Sequence, residues 1–204
     1  MVLRLNWTIS FFIACVAVFF LQILLPIDWE MFSFTPALAM ERPWTFVTAM
    51  FMHANITHLF FNMFVLLMFG LMLENIIGHT KYAIIYFTSG IIGSIGYLLT
   101  ASSSMIPAVG ASGAIYGIMG TMAVLMPFQM VWVFGFFPMP MVVAAAFWVL
   151  SEFIGLFAPG NIAHGAHLGG LFMGFLSGAY LRWRYMKHQK RRRVGITGYA
   201  DWEM

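Results

Sequence analysis

Ser112 and His167 are the two residues whose types and positions could do chemistry in an otherwise apolar chain. Ser112 lies in a Gly-Ala-Ser-Gly tetrapeptide at the head of one apolar run, and His167 follows Ala166 at the head of another. Polar and ionisable groups are costly in hydrocarbon, and those found there are functional candidates. A serine and a histidine can act as a nucleophile and its general base. The pair therefore indicates nucleophilic catalysis inside a membrane.

The composition is that of an integral membrane protein. Hydrophobic residues make up 62% of the 204 residues and charged residues only 8%, compared with about 25% charged residues in a typical soluble domain. A soluble protein of this length could not bury so much apolar surface. The single cysteine, Cys15, excludes an intramolecular disulfide. The positive charge is concentrated in one tail, which argues for the lipid bilayer and against nucleic acid as a partner.

Six apolar runs predict an all-α bundle of six membrane-spanning helices. The runs cover about residues 9–26, 56–77, 81–100, 112–127, 141–158 and 165–183. We expect a membrane domain at 1–186, with its first span retained rather than cleaved as a signal peptide, and a basic cytoplasmic tail at 187–204. The aromatic connection 27–55 is typical of an interfacial loop. Residues 128–137 are expected either to extend the fourth span or to lie in the interface.

The distribution of Lys and Arg predicts the direction of the spans. With six spans, nearly all basic residues fall on one side and only Arg42 falls on the other. The positive-inside rule then places both termini in the cytoplasm, and we expect a multi-pass protein of a prokaryotic plasma (inner) membrane. The second, fourth and sixth spans begin at the outer face in this topology. Four polar side chains meet there: His58, Asn62, Ser112 and His167.

Ser112 also has a purely structural interpretation. A serine at a helix start commonly accepts hydrogen bonds from the free N–H groups of the first turn, and Gly-x-Ser-Gly alone is a weak catalytic signal. In the catalytic interpretation, the same N–H groups and the positive helix end stabilise an oxyanion. Small residues at four-residue spacing predict close packing of the fourth and sixth spans. These residues are Gly113, Gly117 and Gly120/Thr121 on the fourth span and Gly170, Gly174 and Gly178 on the sixth.

The other histidines leave their roles open. His58 and Asn62 share one helix face, where they either form an interhelical hydrogen bond or donate to the oxyanion. His53 and His164 are expected near the outer interface, with no assigned role. A metal site is not expected, because the chain has no His-Glu-x-x-His helix and no acid is expected beside the outer-face histidines.

No acidic residue is expected to complete a catalytic triad. Glu74 lies near the cytoplasmic end of the second span, and Glu152 is expected in the middle of the fifth. We therefore expect a Ser–His dyad.

Three motifs resemble those of the rhomboid intramembrane serine proteases. His58-Leu-Phe-Phe-Asn62 is similar to the family's His-x-x-x-Asn, and Gly110-Ala-Ser112-Gly113 is similar to its Gly-x-Ser-Gly. Ala166-His167-Leu-Gly-Gly170, with Gly174 four residues on, is similar to Ala-His-x-x-Gly-x-x-x-Gly. The resemblance covers essentially the whole chain. One departure is Trp44-Thr45 in the first loop, where the family has Trp-Arg, and the anchoring of that loop is expected to differ.

The resemblance implies hydrolysis of peptide bonds in or next to the transmembrane segments of protein substrates. Ser112 is then the nucleophile and His167 the base, no cofactor is required, and Glu74 is structural. Tyr116 is implied to stack on the histidine. The implied oxyanion and substrate-binding residues are His58, Asn62, Gly110 and Tyr116. The alternatives are a catalytically inactive rhomboid-like protein that binds or chaperones membrane proteins, and a transporter or channel.

Overall fold

The protein is a helical bundle, described here from a computed structural model over residues 6–133, 136–158, 160 and 162–193. The helices are α1 (Trp7–Leu24), α2 (Ile56–Ile77), α3 (His79–Thr100), α4 (Ser112–Leu125), α5 (Met141–Gly155) and α6 (His164–Arg193). By length and composition α1, α2 and α3 can each cross a bilayer, and α4 and α5 are shorter apolar helices. The chain is an integral membrane protein.

A helix covers each of the six predicted apolar runs, with small differences at the ends. In α2 a π-helical turn at Leu66–Gly70 joins the α-helical stretches Ile56–Val65 and Leu71–Ile77. The 14 residues of α4 extend for about 21 Å at 1.5 Å per residue, which is less than the ~30 Å hydrocarbon core. α6 continues into the predicted tail as far as Arg193, and residues 194–204 lie outside the described part of the chain.

The segment after α4 forms a β-hairpin. The expectation that residues 128–137 extend the fourth span is therefore wrong, because α4 ends at Leu125. Strand β1 (Met130–Val133) pairs antiparallel with β2 (Phe137–Pro140). Val131 and Val133 are buried, whereas Met130 and Trp132 are half exposed. This alternation has the period of a strand, and the prolines at 138 and 140 disfavour a helix there.

The centre of the bundle is a set of three helices, α3, α4 and α6, that touch through their backbones. A Cβ atom added to Gly93 of α3 would lie 2.9 Å from the Ala166 carbonyl oxygen of α6. One added to Gly170 of α6 would overlap the Gly113 carbonyl group of α4, and one at Gly174 would overlap that of Gly117. The glycine stripes on α4 and α6 therefore pack as predicted.

The connection between α1 and α2 is folded and supports the segment that leads into α4. It contains short helices at Trp29–Phe32, Pro36–Leu38, Thr45–Thr48 and Ala49–Phe51. Phe34 and Ala108 exchange both backbone hydrogen bonds, at 3.0 and 2.8 Å, and Gly110 N–H donates to the Ala49 carbonyl at 2.9 Å. These bonds hold the backbone immediately before Ser112.

At the opposite end of the bundle, Glu74 of α2 caps the start of α1. Its carboxylate accepts hydrogen bonds from the backbone N–H groups of Trp7 (2.7 Å) and Thr8 (2.9 Å) and from the Thr8 hydroxyl (2.7 Å). His79 Nδ1 lies 2.5 Å from the same carboxylate. The resemblance implied a structural role for Glu74, and these contacts are structural.

Candidate active site

Ser112 is the first residue of α4, and its side chain does not cap the helix. The N-cap position is Ala111, which offers no side-chain oxygen. Gly110 precedes it with φ +128°, a backbone conformation that side-chain-bearing residues rarely adopt. The Ser112 Oγ atom instead lies 2.8 Å from Nε2 of His167. The structural alternative of a serine cap is therefore excluded by the geometry.

His167 lies in the first turn of α6, and its imidazole ring is fixed from two directions. The ring stacks on Tyr116 with 4.3 Å between centroids and 8° between planes. The stack implied by the resemblance is thus present. Ser112 and Tyr116 are four residues apart on α4, so one face of this helix supplies both neighbours of the imidazole. The backbone contact between α4 and α6 brings the two helices close enough for the Ser112–His167 hydrogen bond.

Glu152 is the acidic residue that sequence reasoning missed. Its Oε2 atom lies 2.9 Å from Nδ1 of His167 and 2.5 Å from Nδ1 of His164. Its Oε1 atom accepts a 2.5 Å hydrogen bond from the Tyr116 hydroxyl. The expectation that no acid is near the dyad is wrong, because α5 ends at Gly155 and Glu152 is therefore in its last turn rather than in mid-span. The apolar run, extended to 158, concealed this position.

The His58 side chain lies beside the site, and the hydrogen bond of the Asn62 amide nitrogen stays within α2 rather than joining two helices. The His58 ring packs against Gly110, where an added Cβ would lie 2.7 Å from its Cε1 atom and 3.8 Å from Ser112 Oγ. Asn62 is buried, and its amide nitrogen donates to the His58 carbonyl of its own helix at 2.9 Å. The N-terminal ends of α2, α4 and α6 therefore meet, as predicted.

His53 lies in the connection before α2 and is only 1% exposed. Its ring is 5.1 Å from that of His58, centroid to centroid. Burial, together with repulsion from His58, lowers the pKa of His53 to about 4. A neutral His53 thus packs beneath His58.

The departure at Trp44-Thr45 is accommodated locally. Thr45 is buried and donates to the Arg42 carbonyl at 2.7 Å, and the Trp44 indole donates to the Met31 carbonyl at 2.9 Å. Both residues therefore stabilise turns within the first connection.

Three residues of the site have side chains that could hold a metal ion. Donor atoms of Glu152, His164 and His167 all lie within 4.8 Å of one another. Two ligands on one tetrahedral zinc ion, at ~2.1 Å each, are about 3.4 Å apart, whereas the carboxylate contacts here are 2.5 and 2.9 Å. These spacings fit direct carboxylate–imidazole contact. Of the two sequence-based reasons for not expecting a metal, the absence of an acid beside the histidines was wrong.

A cavity of about 30 Å³ borders Ser112 and Gly110. Its other walls come from the first connection and from α3 and α6, including Phe34, Tyr97 and Ala166. A space of this size can hold a water molecule.

The comparisons with known proteins agree with the motifs. The family model of the Rhomboid domain matches residues 40–184 of the chain. The chain is 33% identical over 180 residues to a Bacillus subtilis protein, YdcA, named as a candidate rhomboid protease, with 85% of this chain and 88% of that protein covered. It is 36% identical over 149 residues to the mitochondrial RHOMBOID-like protein 6 of Arabidopsis thaliana, covering 69% of this chain and 44% of the relative.

A mitochondrial relative from yeast matches over a similar length. The chain is 32% identical over 155 residues to Rhomboid protein 1 of Saccharomyces cerevisiae, covering 72% of this chain and 44% of that protein. The chain thus spans less than half the length of both mitochondrial relatives, and most of the length of the bacterial one. Since the matched domain includes α2 to the middle of α6, with Ser112 and His167 between them, the chain belongs to the rhomboid family.

Proposed function

We propose that this protein is an intramembrane serine endopeptidase that cleaves peptide bonds in or near the transmembrane segments of other membrane proteins. The observation that carries the proposal is the 2.8 Å hydrogen bond between Ser112 Oγ and His167 Nε2. A nucleophile and base at this distance are ready for proton transfer. Relatives that are named as rhomboid proteases support the same reaction class.

Acylation in this mechanism begins at Ser112. Its Oγ atom forms a bond to the scissile carbonyl carbon while His167 Nε2 accepts the hydroxyl proton, and the carbonyl π electrons move to the oxygen. When the tetrahedral intermediate collapses, the C–N bond breaks and His167 returns its proton to the leaving amine. A water molecule, activated by His167 in the same way, then hydrolyses the acyl-enzyme. No cofactor takes part in these steps.

The oxyanion is stabilised by donors at the head of α4. The N–H groups of the first helical turn have no partner within the helix, and they include that of Ser112. His58 and Asn62 supply side-chain donors from α2. One amide hydrogen of Asn62 is used by the His58 carbonyl, and an amide group carries two. Gly110 lets the His58 ring approach the serine, since a side chain at 110 would occupy its place.

The proposed topology has six spans, with both termini in the cytoplasm and the Ser112–His167 site at the outer side of a prokaryotic plasma membrane. The basic residues of the C-terminal tail support this direction. The substrate partner is a transmembrane segment presented within the bilayer.

The second candidate is a rhomboid-like protein without activity that binds or chaperones membrane proteins. Such a protein needs no nucleophile or base. The presence of both, in hydrogen-bond contact, favours the protease.

Ser112→Ala tests the assignment in reconstituted protein. We expect this variant to lose both cleavage of a transmembrane substrate and labelling by a fluorophosphonate probe, because the nucleophilic oxygen is absent. Ser10→Ala is a matched control, since Ser10 hydrogen bonds only within the start of its own helix and should label as the wild type does. Labelling that persists in Ser112→Ala would refute the proposal.

A further inference from the structure

A single carboxylate, that of Glu152, contacts three side chains of the proposed site. Both of its oxygens are used, Oε1 by the Tyr116 hydroxyl and Oε2 by Nδ1 of His164 and Nδ1 of His167. Glu152 is only 7% exposed. Every contact is with a group that can donate a proton to a carboxylate.

The position of Glu152 is costly unless these contacts compensate for it. It is the only charged residue of α5, and an ionised group in an apolar membrane helix is expensive without a partner. Its neighbours Phe153 and Ile154 are more than half exposed, so the flanking residues face away from the protein core. The glutamate is buried beside these exposed residues and contacts Tyr116 of α4 and two histidines of α6.

His164 links the same carboxylate to the backbone of α5. The ring of His164 packs on Gly155, where an added Cβ would overlap it. This contact and the 2.5 Å Glu152–His164 pair join the end of α5 to the beginning of α6. His164 and His167 are three residues apart and therefore lie on one face of α6, so the carboxylate reaches both.

We propose that Glu152 is a positioning residue for His167, which makes the site a Ser–His–Glu arrangement rather than an isolated dyad. This inference rests on the proposed function. With its carboxylate 2.9 Å from Nδ1 of His167, Glu152 favours the tautomer that carries its proton on Nδ1, and this tautomer leaves Nε2 free to accept the Ser112 proton. When His167 becomes an imidazolium ion during acylation, the adjacent carboxylate stabilises its charge. Glu152 itself exchanges no proton with the substrate.

The geometry of the contact defines how Glu152 acts. The Oε2 atom lies away from the Nδ1–H direction of His167, so Nδ1 lacks an aligned hydrogen bond despite the 2.9 Å distance. Charge attraction therefore accounts for more of this contact than directional hydrogen bonding does. Tyr116 completes the positioning, because Glu152 fixes the hydroxyl of the ring on which His167 is stacked.

The test compares Glu152→Gln, Glu152→Asp and Glu74→Gln in the full chain reconstituted with a transmembrane substrate. Glutamine retains the size of the side chain but removes its charge, and its single carbonyl oxygen cannot serve three donors. We expect kcat and the rate of fluorophosphonate labelling to fall together by about 10²-fold or more, with KM changed by less than about threefold. Aspartate retains the charge and should recover a substantial part of kcat.

Glu74→Gln is the matched control, because Glu74 is also a buried glutamate paired with a histidine, at the other end of the bundle. We expect Glu74→Gln to lower the unfolding temperature without lowering kcat per labelled site. If Glu152→Gln leaves kcat per labelled site within threefold of the wild type, Glu152 is only structural and the inference is overturned. If Glu152→Gln fails to fold, Glu152→Asp provides the test instead. We expect its kcat per labelled site to be reduced but measurable, and an unchanged value overturns the inference.

The two proposals fail in different ways. Activity or labelling that survives Ser112→Ala removes the proposed function itself. Loss of activity in Ser112→Ala together with an unaffected Glu152→Gln removes only the role of Glu152.

Discussion

A methyl group added at Gly170 should separate α4 from α6 and break the Ser112–His167 hydrogen bond. A Cβ atom at this position would lie 2.9 Å from the carbonyl carbon of Gly113, with the carbonyl oxygen closer still. Carbon atoms in contact are about 3.5–4.0 Å apart. The oxygen contact is the shorter of the two and would have to lengthen by about 1 Å to reach 3.0 Å, the lower limit for real Cβ contacts. The helices must therefore separate by about 1 Å, because neither backbone can rotate out of the way as a side chain could.

The same displacement acts directly on the site. Gly113 follows Ser112 in the chain, and Gly170 lies one turn after His167, so the separation is transmitted to the pair. Their 2.8 Å distance would increase to about 3.8 Å, at which a side-chain hydrogen bond no longer exists. A misplacement of about 1 Å at a catalytic site can cost ~10²-fold in rate. We expect Gly170→Ala to lower kcat/KM by this factor, equivalent to about 2.7 kcal/mol.

The assay is substrate cleavage and fluorophosphonate labelling in liposomes, with thermal unfolding in detergent as the measure of folding. Gly160→Ala is the control, since an added Cβ there meets nothing within 4 Å and should leave both measurements unchanged. Gly174→Ala overlaps Gly117 one turn farther from His167, so it should lower the unfolding temperature similarly but reduce kcat/KM less. A folded Gly170→Ala variant with kcat/KM within threefold of wild type would refute the link between helix contact and catalysis.

Two further predictions concern side chains beneath and beside the proposed oxyanion. Asn62→Ala should lower kcat by about 10²-fold with little change in KM, the usual effect of losing one oxyanion donor; an unchanged kcat removes Asn62 from that role. His53 has its pKa lowered to about 4 in the folded protein, against about 6.5 when unfolded, so the stability it contributes above pH 6.5 is lost as the pH falls towards 4. The loss amounts to about 3 kcal/mol. Unfolding temperatures at pH 7 and pH 4.5 should therefore differ more in the wild type than in His53→Phe, and equal differences would contradict this reasoning.

The pair at the centre of the site could be predicted because membrane insertion makes polar residues conspicuous. Ser112 and His167 each begin an apolar run, and the glycine spacing after them is typical of membrane helices that pack closely. The glycine stripes therefore predict the contact between α4 and α6. The stack of Tyr116 on His167 followed from family resemblance and not from spacing.

The contact of Glu152 with the site was missed because the length of an apolar run does not show at which residue its helix ends. The sequence Gly155-Leu-Phe-Ala158 is as apolar as the helix before it, yet the helix stops at Gly155, against which the His164 ring packs. A three-residue error at this end changes Glu152 from a mid-span residue into a neighbour of the site. The hairpin of β1 and β2 was missed for a similar reason. Its residues were interpreted as one apolar run, and the alternation of buried and exposed residues along β1 was overlooked.

The cap that Glu74 places on the start of α1 constrains how the membrane domain can be assembled. The first N–H groups of α1 need acceptors outside the helix. That of Trp7 donates to the Glu74 carboxylate, 67 positions later, and that of Thr8 is shared between the same carboxylate and the Asn6 side chain. During synthesis α1 is made long before the Glu74 carboxylate exists. The N-terminal end of α1 therefore reaches its final hydrogen bonding only when α2 lies beside it.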